Sequence, residues 1–522
     1  THLFSERLAQ LQSPANLILL SQCTRGIERE CLRVDEAGHL AMTAHLKSLG
    51  SSLTHPQITT DYSESLLEFI TPAIQSLKDT LHNLETVHSF TAKQLQNELL
   101  WSASMPCQLP EETSIPIAQY GKSYIGQLKY VYRKGLDLRY GKAMQCIAGI
   151  HYNFSLPEEL LQNLKKAEKN KQSTKDYQSD QYMGLIRNFK RYSWILMYLF
   201  GASPALDKSF KNSLSNCVKS SDETTFFLPY ATSLRMSNVG YQSHAQETID
   251  PCFNTLENYT QSLRKAVSTS YPRYEEIGTH NKGQWQQLNT NILQIENEFY
   301  SSIRPKRITQ DGETPIQALN SRGIQYIEVR CLDNNPYLPS GIDSPQAHFV
   351  EAFLLYCFTQ DSPLLNQIER NECNRNFTLT VTQGLQPNLE LTQNNISILL
   401  ADWSKTLLEG IEKTAQLLDS HSQKTAYLDS VKQQYCKIQD RNLTPSAKIL
   451  DELNQGKSFL QFALEKSIQH TQYFKQKSLS PKEHAALKMM AEQSLKEQKV
   501  LESMNKGSFD NFIKAYQDKI LA

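Results

Sequence analysis

Apolar residues recur every three or four positions at Leu77, Leu81, Leu84 and Val87 in a polar background, which predicts an amphipathic helix over residues 74–99. On either side of it the period shortens to two. Residues 28–34, 65–71 (ended by Pro72), 147–155 (ended by Pro157) and 323–332 read as strands. A polar helical stretch at 158–200, a loop and strand at 230–241 and a strand pattern at 289–300 lie between them. From about residue 345 the pattern is mostly helical and rich in Lys, Gln, Glu and Leu.

Strand alternation sorts the polar residues onto particular faces. Glu28 and Glu30 project the same way with Cα atoms roughly 6.6 Å apart, a spacing that can flank one or two divalent cations. Glu68 shares its face with Leu66 and Ile70, so its carboxylate needs a partner in an apolar lining. In residues 147–154, His151 and Asn153 face one way while Ile150, Tyr152 and Phe154 form a core-facing side. Along 323–332, Tyr326, Glu328 and Arg330 alternate with Ile327, Val329 and Cys331, placing an acid beside a base. With Asp61, these strands supply six candidate metal ligands: Glu28, Glu30, Asp61, Glu68, His151 and Glu328.

The 522 residues exceed a single compact core, so one catalytic unit over residues 1–340 and a mainly helical scaffold over 341–522 are expected, with a soft boundary. Lys plus Arg equals Asp plus Glu at 54 each, which removes any electrostatic case for nucleic acid or an anionic membrane. Small-molecule partners fit better. The ten cysteines form no Cys-x-x-Cys pair, arguing against a zinc cluster or a disulfide framework and for a reducing cytoplasm. The early apolar run Leu17 to Leu20 is too short to span a membrane, so a soluble, unexported chain is expected.

Gly121-Lys122-Ser123 ends like a phosphate-binding loop, yet position 116 is Pro where that motif needs Gly, and no Gly-x-Gly-x-x-Gly run opens a dinucleotide fold. Bound phosphates would therefore be handled by metals and arginines. Each candidate has a plain structural alternative. Glu28 and Glu30 can be surface carboxylates, His151 a satisfied core histidine, Arg235 a salt-bridge residue, and Glu328 with Arg330 a structural ion pair. Converging carboxylates without cations would repel one another, which favours Mg²⁺ or Mn²⁺ among them.

Read in order, Gly-Ile-Glu-Arg-Glu-Cys-Leu-Arg-Val (26–34), Leu-Thr-His-Pro-Gln-Ile-Thr-Thr-Asp-Tyr-Ser-Glu-Ser-Leu-Leu-Glu-Phe-Ile-Thr-Pro (53–72), Ser-Met-Pro-Cys (104–107) and Gly-Ile-His-Tyr-Asn-Phe-Ser (149–155) resemble the glutamate-cysteine ligase family of gamma-proteobacterial type. Phe-Gly-Ala-Ser-Pro-Ala (200–205), Leu-Pro-Tyr-Ala-Thr-Ser-Leu-Arg (228–235), Leu-Gln-Ile-Glu-Asn-Glu-Phe-Tyr (293–300), Ile-Arg-Pro-Lys-Arg (303–307) and Tyr-Ile-Glu-Val-Arg (326–330) extend the likeness.

The resemblance implies an α+β fold related to glutamine synthetase: a curved, mainly antiparallel sheet forming an open, funnel-like active site surrounded by helices. It implies ATP-dependent ligation of the L-glutamate γ-carboxylate to the L-cysteine amine through a γ-glutamyl phosphate, the entry step to glutathione. Carried over by position, Glu28, Glu30, Asp61, Glu68, His151 and Glu328 would hold Mg²⁺ around the ATP phosphates. Arg235 and Arg330 would bind glutamate and the transferring phosphate, and Tyr132, Tyr241 and Tyr300 would form the cysteine pocket. A monomer is expected, and the length leaves no room for the second, ATP-grasp domain of bifunctional relatives. A ligase with another amine acceptor, a metal-dependent hydrolase and a degenerate nucleotide-binding protein remain the alternatives.

Overall fold

The computed structural model describes residues 2–211, 214–220, 222–241, 244–249, 251–310, 312–421 and 424–521. Seven strands form one antiparallel sheet: β1 (Thr24–Asp35), β2 (Ile58–Thr60), β3 (Leu66–Ile70), β4 (Glu98–Leu100), β5 (Ile150–Ser155), β6 (Ile303–Lys306) and β7 (Tyr326–Leu332). Their order is β6-β7-β5-β1-β3-β2, with β4 paired to the far end of β1. The sheet is open, with β6 and β2 as its two ends, and helices pack around it.

Register turns the alternation into geometry. Glu28 pairs with His151, Glu30 with Glu68, Glu328 with Asn153, and Arg304 with Glu328. Even-numbered β1 residues thus share one face with these polar groups, while Arg25, Ile27, Arg29 and Cys31 face the core. Between Val329 and Leu332 the pairing of β7 with β5 slips by one residue, a bulge that falls at Arg330 and Cys331. Arg330 stays on the polar face, and Cys331 is fully buried behind it.

The predicted helix at 74–99 is α1 (Leu77–Gln94), started by the Ser76 hydroxyl, which accepts from the Asp79 N–H. It stops short because residues 98–100 pair with β1 instead, Arg33 opposite Leu100. The Gly121-Lys122-Ser123 run begins a helix, α2 (Tyr124–Tyr140), whose cap is Ser123. The 158–200 stretch divides into Glu158–Ala167, Thr174–Tyr192 and Trp194–Phe200.

Two expected strands do not form. Residues 230–241 are turns: Thr232 and Ser233 donate their N–H groups to Val381 O rather than to a neighbouring strand. Residues 289–300 are irregular around the short turn Glu296–Glu298, because side chains take the backbone bonds a strand would use. Gln294 N donates to Glu298 Oε2 at 2.6 Å and Leu288 N to Gln294 Oε1 at 2.9 Å.

The region after 340 is helical apart from a hairpin, Glu390–Gln393 with Ile396–Leu399. Its helix α3 (Ser344–Thr359) is buried along most of its length and lies in the same apolar cluster as β1, β5 and β7. Glu351 of α3 anchors the core side of the sheet. Arg25 Nε reaches its Oε1 at 2.6 Å and Arg25 Nη2 its Oε2 at 2.9 Å, while Tyr152 and Tyr427 donate hydroxyls at 2.6 and 2.7 Å.

Candidate active site

On the polar face of the sheet, His151 Nδ1 lies 3.1 Å from Glu28 Oε2, and His151 Nε2 lies 3.6 Å from Glu30 Oε1. Asn153 Nδ2 donates to Glu28 Oε1 at 2.9 Å, and the Gly149 N–H donates to Glu30 Oε2 at 2.8 Å. Glu28, Glu68 and His151 offer ligand atoms all within 4.8 Å of one another. Glu328 ends the row, paired with Arg330 Nη1 at 2.8 Å and Lys306 Nζ at 3.4 Å. Asp61 is not on a strand. It follows β2 in a turn, its carbonyl accepting from Arg133 Nε at 2.6 Å and from the Tyr120 hydroxyl at 3.0 Å.

The charges in this row are uneven. Burial raises Glu68 well above the ordinary carboxylate range, and Glu28, Asp61 and Glu30 push it further. Glu30 is raised by burial and by Asp61 against the pull of His151, Arg235 and Arg330. For Glu328 burial is overcome by Lys306 and Arg330, which hold it well below that range, and for Glu28 burial is outweighed by the His151 hydrogen bond, which lowers it. The Glu68 carboxylate accepts no hydrogen bond among the described residues. An unspent carboxylate crowded by others, beside a histidine, fits a divalent hard cation such as Mg²⁺ or Mn²⁺.

Two cavities flank the row. The first, about 280 Å³, is lined by Glu30, Asp61, His151, Arg235 and Arg330 together with Tyr132, Tyr241 and Tyr300. The Tyr241 and Tyr300 rings stack at 5.1 Å, and Gln145 Nε2 donates to the Tyr300 hydroxyl at 2.8 Å. The second, about 160 Å³, lies beyond Glu28 and Asn153 over Gly26, between Ile70, Tyr326 and Ile308.

The arginines differ in what they have left to offer. Arg235 is fully enclosed, giving Nη1 to Leu332 O at 3.2 Å and Nη2 to Arg330 O at 2.9 Å, while its buried Nε has no partner. The residues at 303–307 belong to the site more than their patterning indicated, since Arg304 and Lys306 stand on the polar face of β6. Their alternation with Pro305 was the available signal. Arg133, next to Tyr132 on α2, also lines the first cavity.

An open antiparallel sheet bearing a row of acids, a histidine and converging arginines, with a cavity at each end, is an α+β framework chemically able to gather anionic substrates around cations. Comparison with known proteins gives the family. The sequence model of the family "Glutamate-cysteine ligase" matches residues 8–380. Glutamate–cysteine ligases of Pseudomonas paraeruginosa and Pseudomonas fluorescens are 57% and 56% identical to the chain, covering 99% and 100% of it and 98% of each relative. The chain belongs to the glutamate-cysteine ligase family, a family of ligases.

A crystal structure of glutamate–cysteine ligase from Francisella tularensis in complex with AMP superposes with a TM-score of 0.90 at 38% identity, over 95% of this chain and 98% of that one. A bifunctional glutathione synthetase from Pasteurella multocida matches with a TM-score of 0.73 at 27% identity, over 90% of this chain and 55% of that one. The mixed fold with an open antiparallel sheet is therefore the family's fold. No described helix is long and apolar enough to cross a membrane.

Proposed function

We propose that the chain joins the γ-carboxylate of L-glutamate to the amine of L-cysteine at the expense of ATP, giving γ-glutamylcysteine, ADP and phosphate. The observation that carries this reading is the acidic row with its two unlike cavities. The smaller cavity, apolar-walled and open over Gly26, suits a flat nucleotide base, and the AMP complex of the Francisella relative supports a nucleotide as one of the ligands. The larger, with arginines and tyrosines, suits amino acids.

A carboxylate is a poor acyl donor because oxide would have to leave. The glutamate γ-carboxylate therefore attacks the γ-phosphorus of ATP, expelling ADP and forming an acyl phosphate. The cysteine amine then attacks the acyl carbon, and phosphate leaves. Glu28, Glu30, Asp61, Glu68, His151 and Glu328 would hold Mg²⁺, with Mn²⁺ an alternative, whose chemistry is to neutralise the polyphosphate oxygens. Arg330, fixed by Glu328, presents its guanidinium to the charge developing at the transferred phosphoryl group. Arg235 holds the glutamate end of the cavity, and Tyr132, Tyr241 and Tyr300 enclose the acceptor. The buried walls limit hydrolysis of the acyl phosphate.

Residues 1–340 carry the chemistry in this reading, and 341–522 brace it through contacts such as Glu351 with Arg25. The enzyme would work in the cytoplasm as a monomer. The test is to incubate the purified chain with glutamate, cysteine, ATP and Mg²⁺, omit each in turn, and follow ADP and γ-glutamylcysteine by mass spectrometry. Matched products that require every component support the reading. ADP formed without cysteine dependence points to another acceptor, and product formed without ATP overturns ligase chemistry.

A further inference from the structure

Resting on that reading, we infer that Arg304 is the residue that recognises the α-carboxylate of the amino-acid acceptor, and so sets the enzyme's choice of an α-amino acid over a simple amine. Arg304 is 7% exposed and lines the larger cavity. Only its Nη2 is committed, donating to Asn297 O at 2.9 Å and to Phe299 O. Among the described residues Nε and Nη1 have no acceptor. The two unspent donors are open to the cavity rather than sealed in the core, where an entering anion can accept from them. Burial and the neighbouring Arg330 bring the group down to about 10, against the pull of Glu328.

The other arginines of the cavity are tied more closely to roles already given, Arg133 through Nε to Asp61 O and Nη1 to Lys129 O. Arg235 gives both Nη atoms to backbone carbonyls, and Arg330 gives Nη1 to Glu328. The chemistry of the two substrates then divides the cavity. Glutamate's α-carboxylate is separated from the reacting γ-carboxyl group by the length of the side chain, so it lies far from the transferred phosphoryl group. The acceptor's α-carboxylate is attached to the carbon that bears the attacking amine, so it must lie close to the reacting centre. Arg304 meets that requirement: it pairs across the strands with Glu328 and lies in the electrostatic reach of both Arg330 and Tyr132. With Nη2 held by the two carbonyls, Nε–H or Nη1–H can each donate one charge-assisted bond to a carboxylate oxygen.

The experiment compares cysteine with cysteamine, which keeps the thiol and the amine and lacks the carboxylate. Wild-type enzyme should favour cysteine in kcat/KM by on the order of 10- to 100-fold, the effect of a hydrogen-bonded charge pair. In Arg304→Gln that preference should collapse: kcat/KM for cysteine falls by a similar factor, cysteamine changes less than about threefold, and KM for glutamate and ATP holds. Arg304→Lys, which keeps the charge with a different donor geometry, should fall between. Equal loss with both acceptors, or a loss confined to the KM of glutamate or ATP, would overturn the assignment. So would a wild-type enzyme that uses cysteamine as well as cysteine, a result that needs no variant to fold. Absence of cysteine-dependent turnover in the wild type would instead remove the ligase reading beneath it.

Discussion

Glu30 and Glu68 stand directly opposite each other across β1 and β3, two carboxylates at a position where like charges weaken a ladder. Glu68→Gln should therefore raise the melting temperature of the metal-free protein slightly, by about 1–2 °C for a chain of this size. The same variant should lose most of the stabilisation that Mg²⁺ gives the wild type. Thermal denaturation with and without Mg²⁺ checks both; a variant less stable than wild type in chelator, with its Mg²⁺ response intact, would remove Glu68 from the cation site.

Because burial and neighbouring carboxylates raise both Glu30 and Glu68, a bound cation has more protons to displace from them as the pH falls. Affinity for Mg²⁺ should rise with pH until both groups are ionised. Calorimetry in two buffers of different ionisation enthalpy should show net proton release on Mg²⁺ binding that grows as the pH is lowered. No release as the pH is lowered would contradict the assignment.

Gly149 has no room for a side chain: a Cβ there would meet the Arg235 guanidinium well inside contact distance. Gly149→Ala should displace Arg235 and raise KM for glutamate by about tenfold or more, corresponding to an overpacking cost of about 1–3 kcal/mol. Steady-state kinetics with unchanged glutamate KM would show that Arg235 does not set that site.

The Arg25–Glu351 pair, 4% and 1% exposed, makes its prediction for stability rather than turnover. Burial would raise Glu351, yet Arg25 and the two tyrosine hydroxyls hold it below the ordinary carboxylate range. A lowered carboxylate contributes stability above its unfolded value, and that contribution is lost as pH falls through the folded value. Glu351→Gln should cost about 3–5 kcal/mol at neutral pH by stranding Arg25, and the gap to wild type should narrow in acid. Denaturant unfolding at several pH values measures it.

Tyr241 stacks on Tyr300 and carries the Arg235 guanidinium over its face at 5.7 Å. Tyr241→Ala should impair cysteine use more than ATP binding. Kinetics in cysteine equal to wild type would take this ring out of the acceptor pocket.

Much of the candidate site's arrangement was legible in the sequence, since period-two alternation alone puts Glu28 and Glu30 on one strand face and His151 with Asn153 on another. The resemblance added the arginines and tyrosines. Residues 230–241 and 289–300 were misread because their apolar spacing suits a strand, whereas side chains such as Gln294 and Glu298 satisfy the backbone locally. Nothing in a linear pattern announces that exchange.

The sequence by itself determined which residues could lie on a common strand face, because side-chain direction follows from strand geometry within a few residues. It determined the charge balance and the acids available for a cation in the same way. Only the tertiary structure decided that Glu30 meets Glu68, that Glu28 meets His151, and that Arg304 is left with donors to spend. Strand order, register and the β7 bulge are fixed by packing among residues hundreds of positions apart, and α3, whose Glu351 holds Arg25, lies outside every motif that marked the site.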